Sequence, residues 1–171
     1  MAPAGDVLCS DVKSLEDSFY KEICPAARVG QVLRAVARAQ ELGIHVETRT
    51  NVIPGKNDDI EMLSRIAVWI RDHLGADSPW HITKFFPAYK LAHRPATPSE
   101  TLWRAHDAAR EVGLRNVYVY DDKGCDCARD NLPPSAYLTQ DEASLSVVKK
   151  CAASCCGEEG ILLKKYEQAG R

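Results

Sequence analysis

The 171-residue sequence lacks three features that would each point to a particular class of protein. No apolar run approaches the roughly 20 residues that a helix needs to cross a bilayer, so we predict no transmembrane segment and no membrane partner. The net charge is only -2, which gives no reason to expect a nucleic-acid partner. The first residues have neither the basic nor the hydrophobic region of a signal peptide, and we therefore expect a cytoplasmic protein.

What the sequence does contain is the composition of a globular protein and a repeated strand–helix pattern. Hydrophobic residues make up 45% and charged residues 27% of the chain. The predicted strands are 7–12, 44–53, 80–86 and 116–120, and the predicted helices are 14–23, 28–42, 57–74 and 97–112. Strands separated by helices predict right-handed crossovers and a parallel sheet, so the fold class is α/β. The pattern leaves open whether the sheet is doubly wound or part of a barrel.

Several residues are expected to have structural roles. Asn57 and the two aspartates after it are predicted to cap the third helix, and Thr97 is predicted to cap the fourth in a capping box. Cys9 and Cys24 lie in strongly patterned segments and are expected to be small buried apolar residues.

Polar residues at the ends of the predicted strands are the candidates for function, because parallel β/α barrels collect their chemistry there. Asp11 and Lys13 are two residues apart on a strand and should point to the same side. Arg49 and His81 lie on the next two strands. The alternatives are a strand-end salt bridge without a ligand, a solvated rim charge at Arg49, and a His81 that faces the helix layer.

Five blocks resemble, in order and spacing, the radical S-adenosylmethionine (SAM) enzymes of the AmmeMemoRadiSam system, which are similar to pyruvate formate-lyase activating enzymes. These blocks are 11–13, 51–58, 80–90, 95–102 and 113–119. The resemblance implies that residues 1–120 are the C-terminal half of a radical SAM partial, TIM-like barrel, followed by a divergent cysteine-containing tail at 121–171.

The resemblance also implies ligands for some of the candidates. It places Asp11 and Lys13 beside the SAM moiety, and Arg49 where the activating enzymes carry an arginine near SAM. Tyr89 stands where those enzymes have a histidine after the third strand. His81 is a further candidate cofactor-binding residue.

The cluster motif of this family is missing from the sequence. Radical SAM chemistry requires a [4Fe–4S] cluster held by Cys-x3-Cys-x2-Cys, and no such triplet occurs here. The resemblance therefore implies SAM-dependent radical chemistry related to glycyl-radical activation, with the cluster supplied by a missing N-terminal half in cis or in trans. We expect the chain alone not to be competent, its partner to be that half or a protein substrate, and the isolated chain to self-associate.

Five cysteines in the last third of the chain form a second candidate site. They are Cys125, Cys127, Cys151, Cys155 and Cys156. Four of them could bind zinc if the loop between them folded back. Two alternatives to radical chemistry follow, namely a small zinc-binding protein that uses these cysteines and a non-catalytic remnant or scaffold.

Overall fold

The computed structural model describes residues 7–121 and the backbone of residues 124–125, and its elements follow the predicted order. The strands are β1 (Val7–Asp11), β2 (His45–Val52), β3 (Trp80–Lys84), β4 (Val117–Asp121) and β5 (Gly124–Cys125). The α-helices are α1 (Asp17–Ile23), α2 (Val29–Glu41), α3 (Ile60–Leu74) and α4 (Ser99–Glu111), and a 3-10 turn covers Tyr89–Leu91. The first four strands and the four helices confirm the predicted alternation, whereas β5 was not predicted.

The strands form one sheet in the order β1-β2-β3-β4-β5, and the first four are parallel. The predicted parallel sheet is therefore confirmed. Strand β5 pairs antiparallel with β4, as the second arm of a hairpin. Because spatial order follows chain order, each of the three crossovers moves in the same direction across the sheet.

The long helices of all three crossovers lie on one face of the sheet. A single core cluster joins α2, α3 and α4 to the inward residues of β2, β3 and β4. Its sheet members are Val46, Val52, Trp80, Ile82, Val117 and Val119. Right-handed crossovers that never reverse direction put every helix on the same side, as in a β/α barrel. A doubly wound sheet reverses and covers both faces, so the described strands are not of that kind.

Two polar side chains on the buried face link neighbouring strands. Thr50 Oγ1 donates to the carbonyl of Val12 at 2.6 Å and accepts from Trp80 Nε1 at 2.9 Å. Trp80 is fully buried, so its indole N–H needs such a partner. These bonds fix β1, β2 and β3 relative to one another beneath the helices.

Of the two predicted helix caps, the one at α3 is confirmed in part and the one at α4 is wrong. Asp59, not Asn57, caps α3, because its Oδ2 accepts from the Met62 backbone N–H at 3.1 Å. The predicted capping box at α4 is wrong: no side chain caps this helix. Thr97 is instead buried, where its hydroxyl donates to the Val52 carbonyl at 2.5 Å and accepts from the Phe85 backbone N–H at 2.8 Å.

Helix α1 packs at the carboxyl ends of the strands through a second apolar cluster. Phe19 and Tyr20 from α1 are buried there with Ile53 and Phe85, which directly follow β2 and β3. The Tyr20 hydroxyl also accepts from the Lys13 backbone N–H at 3.3 Å. Among residues 7–121, no helix combines the length and the apolar character that a membrane crossing would need.

Candidate functional site

The face of the sheet opposite the helices is lined by polar and aromatic side chains. Successive residues of a strand point to opposite faces, so the residues that alternate with the core point to this side. Apart from Val7 at the start of β1, they are Cys9, Asp11, His45, Glu47, Arg49, Asn51, His81, Thr83, Tyr118 and Tyr120. We call this set the open face. The register aligns four of its members in one row, because Asp11 pairs with Arg49, Arg49 with His81, and His81 with Tyr118.

Asp11, Lys13 and Arg49 form an ion cluster at the carboxyl end of β1 and β2. Lys13 Nζ donates to Asp11 Oδ2 at 2.9 Å, and Arg49 Nε donates to Asp11 Oδ1 at 2.8 Å. Partial burial raises the pKa of Asp11, but the hydrogen bonds from Arg49 and Lys13 outweigh it, so the net effect is a lowered pKa. The structure thus brings together three of the predicted site residues, and their side chains remain 32% (Asp11), 23% (Lys13) and 51% (Arg49) exposed to an incoming ligand.

Glu47, His81 and Tyr120 form a hydrogen-bonded chain in the middle of the open face. His81 Nε2 lies 3.0 Å from Glu47 Oε2, and His81 Nδ1 lies 2.8 Å from the Tyr120 hydroxyl. The imidazole also stacks on Tyr118, with 5.3 Å between ring centroids. Glu47 and His81 are 8% and 7% exposed. His81 therefore points away from the helix layer, and the interpretation that it faces the helices is wrong.

The Glu47 carboxylate is held in its ionised form by two histidines. Burial raises the pKa of Glu47, but the hydrogen bonds from His45 and His81 outweigh it and lower the pKa from 4.5 to about 2. His45 Nε2 approaches the other carboxylate oxygen, Oε1, at 3.3 Å. An ionised carboxylate only accepts hydrogen bonds, so the nitrogens that face Glu47 carry protons.

Asn57 fixes the backbone at the carboxyl end of the site. Its Oδ1 accepts from the Ile53 backbone N–H at 2.6 Å. Its Nδ2 donates to the carbonyls of Lys13 at 2.6 Å and Asn51 at 3.0 Å. One buried amide therefore ties the end of β1 to the turn after β2, and through it Lys13 is held beside Asp11.

The remaining predicted site residues are not part of these two groups. Tyr89 is 99% exposed in the 3-10 turn, with a φ of 51°, and is not packed against the open face. Cys9 is exposed on the open face, opposite Glu47 in the register, so its expected burial is wrong. Cys24 is half-buried and borders the second apolar cluster.

The tail cysteines fall almost wholly outside the described residues. The backbone of Cys125 pairs with Tyr120 in β5. The predicted zinc ligands Cys127, Cys151, Cys155 and Cys156 lie outside the described part of the chain.

The described residues do not fit an iron–sulfur cluster. Such clusters are held by cysteine thiolates, and residues 7–121 contain only Cys9 and Cys24. Within that range no group of three His, Cys, Asp or Glu side chains is placed to hold a metal ion.

The sequence reasoning missed Glu47 and Tyr120. Glu47 is buried on the open face, where it contacts His81 and His45. The sequence does contain a signal for the position of Tyr120. Tyr118 and Tyr120 alternate with Val117 and Val119, so the two tyrosines must share the face opposite the two valines.

Comparisons with known proteins agree with this architecture. No family model matches the chain. It is 41% identical over 114 residues to an uncharacterised protein of Methanocaldococcus jannaschii; the match covers 67% of this chain and 34% of that protein. The chain thus spans about a third of the length of this relative.

The structure is similar to the crystal structure of a domain of pyruvate-formate lyase-activating enzyme from Bacteroides vulgatus, with a TM-score of 0.55 and 18% identity. The similarity covers 67% of this chain and 66% of that one. The chain therefore has the parallel α/β fold of that domain.

Proposed function

We propose that this chain is the C-terminal part of a radical SAM partial barrel and that its open face is the side that binds SAM. The observation that carries the proposal is the single-sided sheet: helices cover one face, and charged and hydrogen-bonding side chains line the other. In a β/α barrel the face without helices is the interior, and ligands bind at the carboxyl ends of its strands. The fold similarity to an activating-enzyme domain supports the same reading.

The ion cluster at this end suits a zwitterionic ligand. SAM carries a carboxylate, an ammonium group and a sulfonium centre. Asp11 offers a carboxylate, and Lys13 and Arg49 offer cations, all of them partly exposed. When bound beside a reduced iron–sulfur cluster, SAM supplies the radical chemistry of the family. The residues described here would bind and orient it.

The cluster itself has to come from another segment, since the described residues do not fit it. We propose that an N-terminal half supplies it, in cis or in trans. The substrate class is a protein, as in glycyl-radical activation, and the setting is the cytoplasm. That the chain aligns with only 34% of its archaeal relative supports a longer functional unit.

The test is SAM binding by the purified chain, measured by isothermal titration calorimetry. We expect a saturable heat of binding, and we expect Arg49→Ala to weaken the affinity about tenfold or more, because it removes a charged hydrogen-bond donor. The matched control is Arg115→Ala. Arg115 forms an exposed ion pair with Asp77, and both residues precede their strands, at the opposite end of the sheet.

Two results would overturn the proposal. One is the absence of SAM binding, and the other is an equal loss of affinity in the Arg49 and Arg115 variants. Anaerobic reconstitution of the chain alone with iron and sulfide tests separately whether a second half is needed to hold the cluster. We expect no iron–sulfur absorbance and no 5′-deoxyadenosine from the chain alone, and the appearance of both would show that no second half is needed.

A further inference from the structure

Glu47, His81 and Tyr120 cross three adjacent strands of the open face, next to the ion cluster proposed to bind SAM. The geometry points to a proton-transfer site in which the Tyr120 hydroxyl meets the substrate, His81 takes up the tyrosine proton and Glu47 positions His81. Both hydrogen bonds, at 3.0 and 2.8 Å, lie within the distance at which protons are transferred between side chains. A carboxylate, an imidazole and a hydroxyl in series are the arrangement by which proteins activate a hydroxyl group.

The direction of transfer follows from the charge state of Glu47. Its carboxylate is ionised and accepts the Nε2–H of His81, so this bond fixes which ring nitrogen of a neutral imidazole carries the proton. Nδ1 then has a free lone pair and accepts from the Tyr120 hydroxyl. When Nδ1 takes up that proton, the resulting imidazolium lies beside the Glu47 carboxylate, which stabilises it.

A permanent cation, Arg49, lies next to His81 on the same face of the sheet. Arg49 pairs with His81 in the register, and the hydrogen bond to Asp11 raises the pKa of Arg49. Among residues 7–121, the other titratable groups on this side include Lys13, which is bonded to Asp11, His45, which is bonded to Glu47, and Tyr118, which stacks on His81.

The substrate class is a proton donor whose deprotonated form is an anion, since Arg49, the neighbour of His81 in the register, is a cation on the same face. In the transfer, the bond from the substrate to its proton breaks and a new O–H bond forms at Tyr120. The original phenolic O–H bond breaks and an N–H bond forms at His81 Nδ1. The products are a substrate anion and an imidazolium, so charge and atoms balance and no oxidant or reductant is required. The inference stands independently of whether SAM binds.

The first test is the protonation pattern of His81 in the purified chain, measured by NMR on protein with 15N-labelled histidine at a pH where the imidazole is neutral. We expect Nε2 to be protonated and Nδ1 to be unprotonated. In the Glu47→Gln variant we expect this preference to weaken. A proton on Nδ1 of His81 would overturn the inference, because Tyr120 could not then donate to it.

The second test is the reactivity of the Tyr120 phenol, since tetranitromethane nitrates the phenolate form of tyrosine. We expect nitration of Tyr120, measured by peptide mass spectrometry, to slow about tenfold in His81→Gln, because a strong acceptor for its proton is lost. Tyr89 in the same protein, which is 99% exposed and lies outside this group, serves as the internal reference.

The matched control is His106→Gln, which replaces another buried histidine, on α4. We expect it to leave the nitration of Tyr120 unchanged. Circular dichroism identifies a variant that has unfolded, and in that case Glu47→Gln, which keeps the size of the side chain, provides the same comparison. Equal nitration rates of Tyr120 in the folded parent and in the folded His81 or Glu47 variant would overturn the inference.

Discussion

Replacing Glu47 by Gln should destabilise the protein by an amount that depends on pH. Glu47 is buried, and the two histidines that contact it lower its pKa from 4.5 to about 2. A carboxyl group whose pKa is lower in the folded than in the unfolded state stabilises the fold above its unfolded pKa. That contribution is lost as the pH falls towards the folded pKa. The relevant window therefore lies between about pH 5 and pH 2.

The magnitude follows from the same pKa change. Lowering the pKa from 4.5 to about 2 corresponds to about 3 kcal/mol of stability at pH 6 and about 1.5 kcal/mol at pH 3. Gln is uncharged, like the protonated acid, so Glu47→Gln should lower the free energy of unfolding by about 3 kcal/mol at pH 6 and about half as much at pH 3. Urea denaturation followed by circular dichroism at the two pH values measures both differences.

The control for this experiment is Glu41→Gln. Glu41 is 63% exposed and forms an ion pair with Arg38, which is 64% exposed. Exposed pairs contribute less than about 1 kcal/mol, so we expect a small effect that is similar at both pH values. The reasoning is refuted if Glu47→Gln costs less than about 1 kcal/mol at pH 6, or if its cost is the same at pH 6 and pH 3.

Three further expectations concern stability, metal and assembly. Asn57→Ala should lower the free energy of unfolding by about 3 kcal/mol in urea denaturation, because it leaves buried backbone groups unpaired, and Asp58→Ala, at a more exposed position, should cost clearly less. If the tail binds zinc, replacing Cys151, Cys155 and Cys156 by Ser should abolish the zinc measured by mass spectrometry of the purified protein, and unchanged zinc content would rule the site out. Light scattering should show self-association, because the outer edge of β1 is unpaired among the described strands, and a clean monomer would count against a missing half.

The order of strands and helices was predictable because each element has a strong local signal. Helix α3 has its apolar residues at three- and four-residue spacing, with Asp59 as its cap and Gly75 after its end. Strand β5 carries no such signal, since it is two residues long and exists only through its pairing with β4. The winding of the sheet could not be read from periodicity, because singly and doubly wound sheets have the same alternation along the chain.

The candidate site was predictable only in part, because local spacing places residues on a face but does not say which groups from different strands meet. Asp11 ends β1 and Lys13 follows two residues later, so their contact could be inferred. The contact of Glu47 with His81 depends on the register of β2 against β3, which no local pattern fixes. Thr97 is the opposite case. The local sequence predicts a helix cap, but in the structure its hydroxyl bonds to the backbone at the ends of β2 and β3.

The measurement that tests the central claim most directly is a titration of the 15N-labelled chain with SAM, followed by two-dimensional NMR. The claim is that the side of the sheet opposite the helices is the ligand-binding side. We predict chemical-shift changes at Asp11, Arg49 and their neighbours at the carboxyl ends of β1 and β2, and no changes on the outer surfaces of α3 and α4. The absence of any shift change at saturating SAM, or changes confined to the helices, would contradict the account.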